Sequence, residues 1–241
     1  MTCSVCSTQQ QDGSFCGSCG AALMGGNAAA VQPAAPNAYV QKGKELSGLY
    51  FSYFARALKS PVKAAENATQ RDFTNAVITM ALYALILPLI AFIIANRQSF
   101  IRVPFETVVL MPAITLFLIV AVMAGAVFAC LKMARVNTRF SESSAVFGTY
   151  LIVPVALFAA ALFSTFIQAD SLAGIFAGLG LAGFFLALNY TLTNFKSRSN
   201  GGLDLFYAGL ILNIIFTIVM YVVGKGVLEA IEDSLSNSFF F

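Results

Sequence analysis

Five long apolar segments dominate this chain and limit the folds that it can adopt. Each one meets the roughly 20 residues that a helix needs to cross a hydrocarbon core about 30 Å thick. Because a backbone in lipid must satisfy its own hydrogen bonds, such segments form helices. The sequence therefore predicts an all-α polytopic membrane protein with a five-helix transmembrane domain over residues 73–224. The segments lie near residues 73–95, 106–131, 144–167, 171–192 and 203–224.

The composition agrees with lipid as the main solvent of this chain. Its residues are 59% hydrophobic and 10% charged, whereas soluble domains carry about 25% charged residues. The chain contains no His, which excludes His-based acid–base catalysis, Ser–His and Cys–His nucleophile pairs and His-ligated metals. No acid-, His- or Ser-based constellation lies at the depth of the apolar segments, so the sequence predicts a protein that is not an enzyme.

The basic residues between the apolar segments predict the orientation of the chain. Eleven of the 14 Lys and Arg fall on the side that holds the N-terminus. The other three, Arg97, Arg102 and Lys225, fall on the opposite side. The positive-inside rule then places the N-terminus in the cytosol and the C-terminal tail, residues 225–241, outside the cytoplasm.

Four of the five cysteines form two CxxC pairs near the N-terminus, Cys3 with Cys6 and Cys16 with Cys19, separated by nine residues. Each pair lets two thiolates approach one ion, and the hairpin between them closes a tetrahedral site. Nine residues cannot build a hydrophobic core, so metal binding must supply most of the folding free energy. The sequence predicts a zinc ribbon over residues 1–23 with one structural Zn²⁺, because four protein ligands leave no open position.

Two disulfides or a redox CxxC are the alternative interpretations of these cysteines. A cytosolic location argues against stable disulfides, and a thioredoxin-like motif needs a βαβ setting that 23 residues cannot provide. Gly20 follows the second pair and leaves the backbone free to turn and donate hydrogen bonds to sulfur, whereas Ser7 takes that place after the first pair. Residues 1–41 contain no Lys or Arg. Since phosphate binding needs cations, we expect a protein partner and no nucleic acid.

The segment between the cysteines and the apolar region has two parts. Residues 24–41 are uncharged and rich in Ala, Gly, Asn and Pro, which predicts a flexible linker. Residues 42–72 place apolar side chains at helical spacing, which predicts amphipathic interfacial helices in contact with membrane lipids. Packing of these helices on a partner is the alternative. The basic residues expected at the membrane surface are Lys44, Arg56, Lys59 and Lys63.

Polar residues inside the apolar segments are few and mostly neutral. Asn189 and Asn213 form a possible intramembrane polar site, with hydrogen bonding between helices as the simpler interpretation. If these two side chains face a cavity, a transport function is favoured; if they face a tight bundle, an adaptor is favoured. Closely spaced glycines in the fourth segment predict tight helix packing, and they are Gly174, Gly178, Gly180 and Gly183.

The overall layout resembles the Yip family of membrane proteins over about residues 45–225. The similar features are a Pro-bearing amphipathic lead-in, LKSPV at residues 58–62, and a Gly-Tyr element followed by Pro, FGTYLIVP at residues 147–154. The resemblance implies five membrane-spanning helices with a cytosolic N-terminal region. Eukaryotic members are associated with Rab GTPases and vesicle traffic. The zinc ribbon in front is similar to bacterial members, which implies a bacterial cell membrane and does not imply the eukaryotic role.

Two functions follow as hypotheses from different classes. The first is a non-enzymatic integral membrane adaptor or regulatory protein whose cytosolic zinc ribbon docks a protein partner. The alternative is a transporter or permease component that moves a lipid or a neutral solute. Homo-oligomer formation stays open on the sequence alone.

Overall fold

The computed structural model describes residues 2, 3, 5–9, 15–19, 38–98 and 104–239, which fall into two compact units. One unit covers Met1–Leu49 and the other covers Tyr50–Phe241. The predicted linker lies outside the described residues up to position 37, and its last four residues belong to the first helix.

Helices make up almost all of the second unit. Short turns of other helical types precede the third and fourth helices and follow the seventh, at Gln70–Asp72, Glu106–Leu110 and Lys196–Arg198. The α-helices are α1 Ala38–Lys59, α2 Pro61–Glu66, α3 Phe73–Gln98, α4 Met111–Met133, α5 Phe140–Tyr150, α6 Ile152–Phe166, α7 Asp170–Asn194 and α8 Leu205–Phe239.

Five helical stretches in the described part of the chain are long and apolar enough to cross a membrane. This confirms the prediction of five apolar helices. The last of these stretches lies in α8, which continues past its apolar part to Phe239, so most of the predicted C-terminal tail is helical. The stretches are Gln70–Arg97, Glu106–Met133, Phe140–Phe166, Asp170–Arg198 and Leu205–Val222.

The third of these stretches is divided into α5 and α6 at Leu151. Pro154 explains the position of the break. Its nitrogen carries no hydrogen, so it cannot donate to the carbonyl of Tyr150 four residues earlier. The helical hydrogen bonds continue on either side, from Leu151 N to Phe147 O at 3.1 Å and from Val155 N to Leu151 O at 3.0 Å.

A buried aromatic cluster joins α3, α5, α6 and α7. The ring of Tyr83 lies 4.8 Å from that of Phe158 and 5.4 Å from that of Phe184, centroid to centroid. Phe147 packs edge-on against Phe184 at 5.8 Å. Such pairs contribute about 0.5–1.5 kcal/mol each beyond the burial of their area. This cluster fixes the relative positions of four helices.

Most buried hydroxyls in the described part of the bundle donate to a carbonyl of their own helix, whereas Ser144 Oγ has no hydrogen-bond partner among the described residues. Thr149 donates to the carbonyl of Ala145 at 2.8 Å, and Thr165 donates to that of Ala161 at 3.0 Å. No charged side chain is buried among the described residues. The described core therefore buries no Lys, Arg, Asp or Glu side chain, and its burial carries no cost of desolvating a charge.

The C-terminal half of α1 packs on the bundle. Tyr53 and Ala57 are buried with Ile152 of α6. The Tyr53 hydroxyl lies 2.8 Å from Thr149 Oγ1, and burial raises the pKa of Tyr53 above its usual value. Part of the apolar face that was expected to contact lipid is thus covered by this chain's own helices. Phe51 of the same helix stays 73% exposed.

Glycines allow close approach where helices cross. A Cβ on Gly148 of α5 would lie 2.5 Å from the Cα of Ala76 in α3. A Cβ on Gly180 of α7 would lie 2.4 Å from the ring of Phe158. By contrast, a Cβ on Gly174 or Gly178, which form a GxxxG pair, would meet no described atom within 4 Å. The predicted tight packing therefore uses the glycines that follow the GxxxG pair.

The Gly148 crossing makes a direct test of this packing. We expect Gly148→Ala to destabilise the bundle by about 1–3 kcal/mol, because its new methyl group meets backbone that cannot yield. Gly125→Ala is the matched control, since Gly125 is also helical and has open space around it. The control should be neutral or up to about 1 kcal/mol more stable. Thermal unfolding in detergent measures both, and equal effects would contradict the assignment.

Candidate metal centre

Four cysteine side chains converge in the N-terminal unit. The Sγ atoms of Cys3, Cys6, Cys16 and Cys19 all lie within 4.8 Å of one another. Two of these separations are 3.7 Å, between Cys3 and Cys19, and 3.5 Å, between Cys6 and Cys16. A disulfide requires about 2.05 Å, and all of these cysteines are free thiols. The disulfide alternative is therefore absent from this structure.

The arrangement has the dimensions of a four-sulfur metal site. Metal–sulfur bonds of about 2.3 Å in a tetrahedron separate the sulfur atoms by about 3.8 Å. These two separations are close to this value, so the cluster has a geometry that can hold a metal ion. Cys3 and Cys16 are buried, whereas Cys6 and Cys19 are exposed.

A tight turn brings the first pair of cysteines together. The amide of Cys3 donates to the carbonyl of Thr8 at 3.0 Å, and the amide of Ser7 donates to that of Cys3 at 2.9 Å. An antiparallel bridge between Thr2 and Gln9 closes the turn. Ser7 has a φ of 56°, in the left-handed region that glycine adopts most easily. The Gly20 counterpart lies outside the described residues.

Hydrogen bonds favour the thiolate forms that bind metal. Backbone amides of Val5 and Cys6 lower the pKa of Cys3. The Thr8 hydroxyl, which lies 3.3 Å from Cys6 Sγ, and the Thr8 amide lower the pKa of Cys6 to about 6. Because the thiolate is the ligand form of cysteine, these contacts prepare the pair for a cation.

The predicted intramembrane residues come together at a second place. Asn189 of α7 and Asn213 of α8 both line a cleft of about 700 Å³, together with Lys196 and Asp204. Each amide donates to its own helix, Asn189 to Phe185 O and Asn213 to Gly209 O, at 2.8 Å in both cases. The two side chains therefore face a cleft, and each amide donates within its own helix.

The predicted membrane-surface residues are exposed where the structure describes their side chains. Arg56, Lys59 and Lys63 are all exposed on α1 and α2. Lys44 belongs to α1, and its side chain lies outside the described residues.

Sequence reasoning missed two ion pairs at the ends of the helices. Arg97 pairs with Asp170, and Arg198 pairs with Glu142. In each pair, both residues lie near the ends of apolar segments, and the count of Lys and Arg places those two ends on the same side of the membrane. Opposite charges on a shared side could therefore have predicted both ion pairs.

Comparison with known proteins finds a relative of similar length. No family model matches the chain, and no solved structure matches it. The Bacillus subtilis (strain 168) protein YvbI, described as an uncharacterized protein, is 27% identical over 226 residues. The match covers 92% of this chain and 94% of that protein, so the similarity extends beyond the apolar helices.

The left-handed residue in the first turn generates a prediction about metal retention. We expect Ser7→Val to weaken metal binding about tenfold, because a β-branched residue at this φ costs roughly 1–2 kcal/mol. Ser7→Gly should bind at least as tightly as the natural chain. Ser18→Val is the matched control in the second turn, since Ser18 has no positive φ. Competition with a chromophoric chelator gives the affinities, and an equal loss in both Val variants would contradict the role of Ser7.

Proposed function

We propose that the N-terminal unit is a zinc ribbon that holds one structural Zn²⁺ through Cys3, Cys6, Cys16 and Cys19. The support is the donor set, since four sulfur ligands in a tetrahedral arrangement suit Zn²⁺ or an iron–sulfur centre. The length of the unit supports the structural role, because so short a segment gains its folding free energy from the metal. With four thiolates bound, the ion has no open position for a substrate.

The five apolar helices cross a membrane in this proposal, with the zinc ribbon in the cytosol. The reducing cytosol keeps the four thiols available for metal. The distribution of Lys and Arg supports the orientation. Exposed Arg56, Lys59 and Lys63 lie on helices that precede the first apolar stretch, where anionic headgroups attract basic side chains at about 1 kcal/mol per charge.

The function that the geometry supports best is a non-enzymatic membrane adaptor whose zinc ribbon docks a protein partner. The observation that carries this proposal is the surface of the ribbon. Val5 is 72% exposed and Phe15 is 67% exposed, and residues 1–41 carry no basic side chain. Exposed apolar side chains without cations suit a protein surface, whereas nucleic acid requires positive charge.

The five-helix part is proposed to be Yip-like. The Gly-Tyr element and its following Pro lie at the junction of α5 and α6, where Gly148 packs against Ala76 and Pro154 lacks one helical hydrogen bond. This placement supports a packing role for the element. The vesicle-traffic role of eukaryotic members is not extended to this chain.

Transport of a lipid or a neutral solute is the second candidate. It is favoured by one observation, that Asn189 and Asn213 line the same cleft. Against it, both amides already donate to their own helices, and the described core buries no charged side chain. The adaptor therefore remains the first proposal.

A crosslinking experiment in cells separates the two candidates. A photo-crosslinking residue replaces Val5, and partners are recovered with the full chain. We expect Cys16→Ser to lose its metal and to reduce the crosslinked product at least tenfold. Cys130→Ala is the matched control, because Cys130 is buried in α4 outside the cluster. It should retain about one zinc per chain and the full product.

The transport candidate makes the opposite prediction in the same cells. Asn189→Leu and Asn213→Leu should leave the crosslink and the cellular phenotype unchanged if the adaptor proposal is correct. Deletion of residues 1–37 should abolish both while the five helices still insert. A silent deletion, combined with loss of function in Asn189→Leu and Asn213→Leu, would overturn the adaptor and favour transport.

A further inference from the structure

An apolar groove runs along the outside of the bundle between α2, α6 and α7. It has a volume of about 250 Å³, and Val62, Pro154, Gly183 and Leu186 are among the residues that line it. Gly183 keeps the groove narrow at its base, since a Cβ there would lie 2.9 Å from Pro154 Cγ. Leu186 is exposed along the wall. The groove thus offers a surface for an alkyl chain.

At one end the groove adjoins a second, more polar cavity of about 610 Å³. The two share Val62, Tyr150 and Tyr190, and the polar cavity adds Glu66 and Lys196 among its lining residues. The rings of Tyr150 and Tyr190 lie 5.8 Å apart, centroid to centroid. These tyrosines therefore stand at the boundary between the apolar and the polar parts.

The dimensions of this combined groove match one leaflet of a bilayer. From Gly183 to Asn194, which lines the polar part, α7 advances by about 16 Å at 1.5 Å per residue. Half of a hydrocarbon core of about 30 Å is roughly 15 Å. Tyrosines collect at the level of the headgroups, where Tyr150 and Tyr190 would lie.

The polar end carries one charge of each sign. Lys196 and Glu66 both line the cavity and are both exposed. Neither forms an ion pair with any residue in the described ranges, where the pairs join Arg97 to Asp170 and Arg198 to Glu142. A ligand with one anionic and one cationic group would complement both.

We propose that this groove binds a glycerophospholipid with a zwitterionic, amine-bearing headgroup, such as phosphatidylethanolamine. Its acyl chain lies along Leu186 and Pro154. Its phosphate faces the Lys196 ammonium, and its primary amine donates hydrogen bonds to the Glu66 carboxylate. A choline headgroup lacks these donors, and an anionic headgroup leaves Glu66 without a cation. The proposal stands independently of the adaptor and transport candidates.

The test is native mass spectrometry of the full chain in detergent with three lipids of identical acyl chains. Phosphatidylethanolamine should bind at least fivefold more than phosphatidylcholine or phosphatidylglycerol. Lys196→Gln and Leu186→Trp should each lower ethanolamine-lipid binding at least threefold, and Glu66→Gln should remove the preference over phosphatidylglycerol. The matched controls are Arg135→Gln and Leu181→Trp, which change exposed residues of the turn after α4 and of α7 that do not line the groove.

Three results would overturn the proposal. They are equal binding of the three lipids, equal effects of the groove and control variants, and competition by free phosphoethanolamine as strong as that by the whole lipid. The last result would indicate a solute site without an acyl chain. Unfolding temperatures identify any variant that fails to fold. In that case Lys196→Gln and Glu66→Gln decide the outcome, because both side chains are exposed.

Discussion

The need to satisfy every backbone hydrogen bond within its apolar segments determines most of this chain's structure. It restricts the apolar segments to helices and leaves only short connections between them. It also governs the polar side chains, because a hydroxyl such as that of Thr149 is buried at low cost by donating to its own helix. Under this constraint the described core contains aromatic rings, glycines and hydroxyls and no charged side chain. Chemistry and recognition are left to the ends of the helices and to the N-terminal unit.

Association of the helices depends on complementary shape, because in lipid there is no hydrophobic driving force that brings apolar side chains together. Gly148 and Gly180 allow their helices to lie close to backbone and ring atoms of neighbouring helices. Tyr83 packs against aromatic rings of two other helices. In the described part of the chain, ion pairs form near the ends of the apolar stretches, as between Arg198 and Glu142. The N-terminal unit is stabilised differently, because it is too short to form a hydrophobic core. Its four thiols instead cluster where they can bind a metal ion.

The parts that the sequence predicts well are those encoded locally. Apolar runs of about 20 residues specify helices, and two CxxC pairs specify a four-sulfur cluster, because both signals are complete within a short window. Contacts between distant residues were not predictable in this way. The Tyr53–Thr149 contact joins residues 96 positions apart, and helices that are apolar on all sides do not reveal which face packs. The GxxxG pair at Gly174 and Gly178 was therefore a weaker guide than the spacing suggested. The cleft at Asn189 and Asn213 depends on the same unpredictable choice of faces.

We propose that five membrane crossings place the metal-binding unit in the cytosol and the C-terminus on the opposite side. Reporter fusions that are active on only one side of the membrane test this topology, one at the N-terminus and one after Phe241. We expect cytosolic activity for the first and extracytoplasmic activity for the second, since an odd number of helices separates them. Activity of both reporters on the same side would contradict it, because one of the five helices could then not cross the membrane.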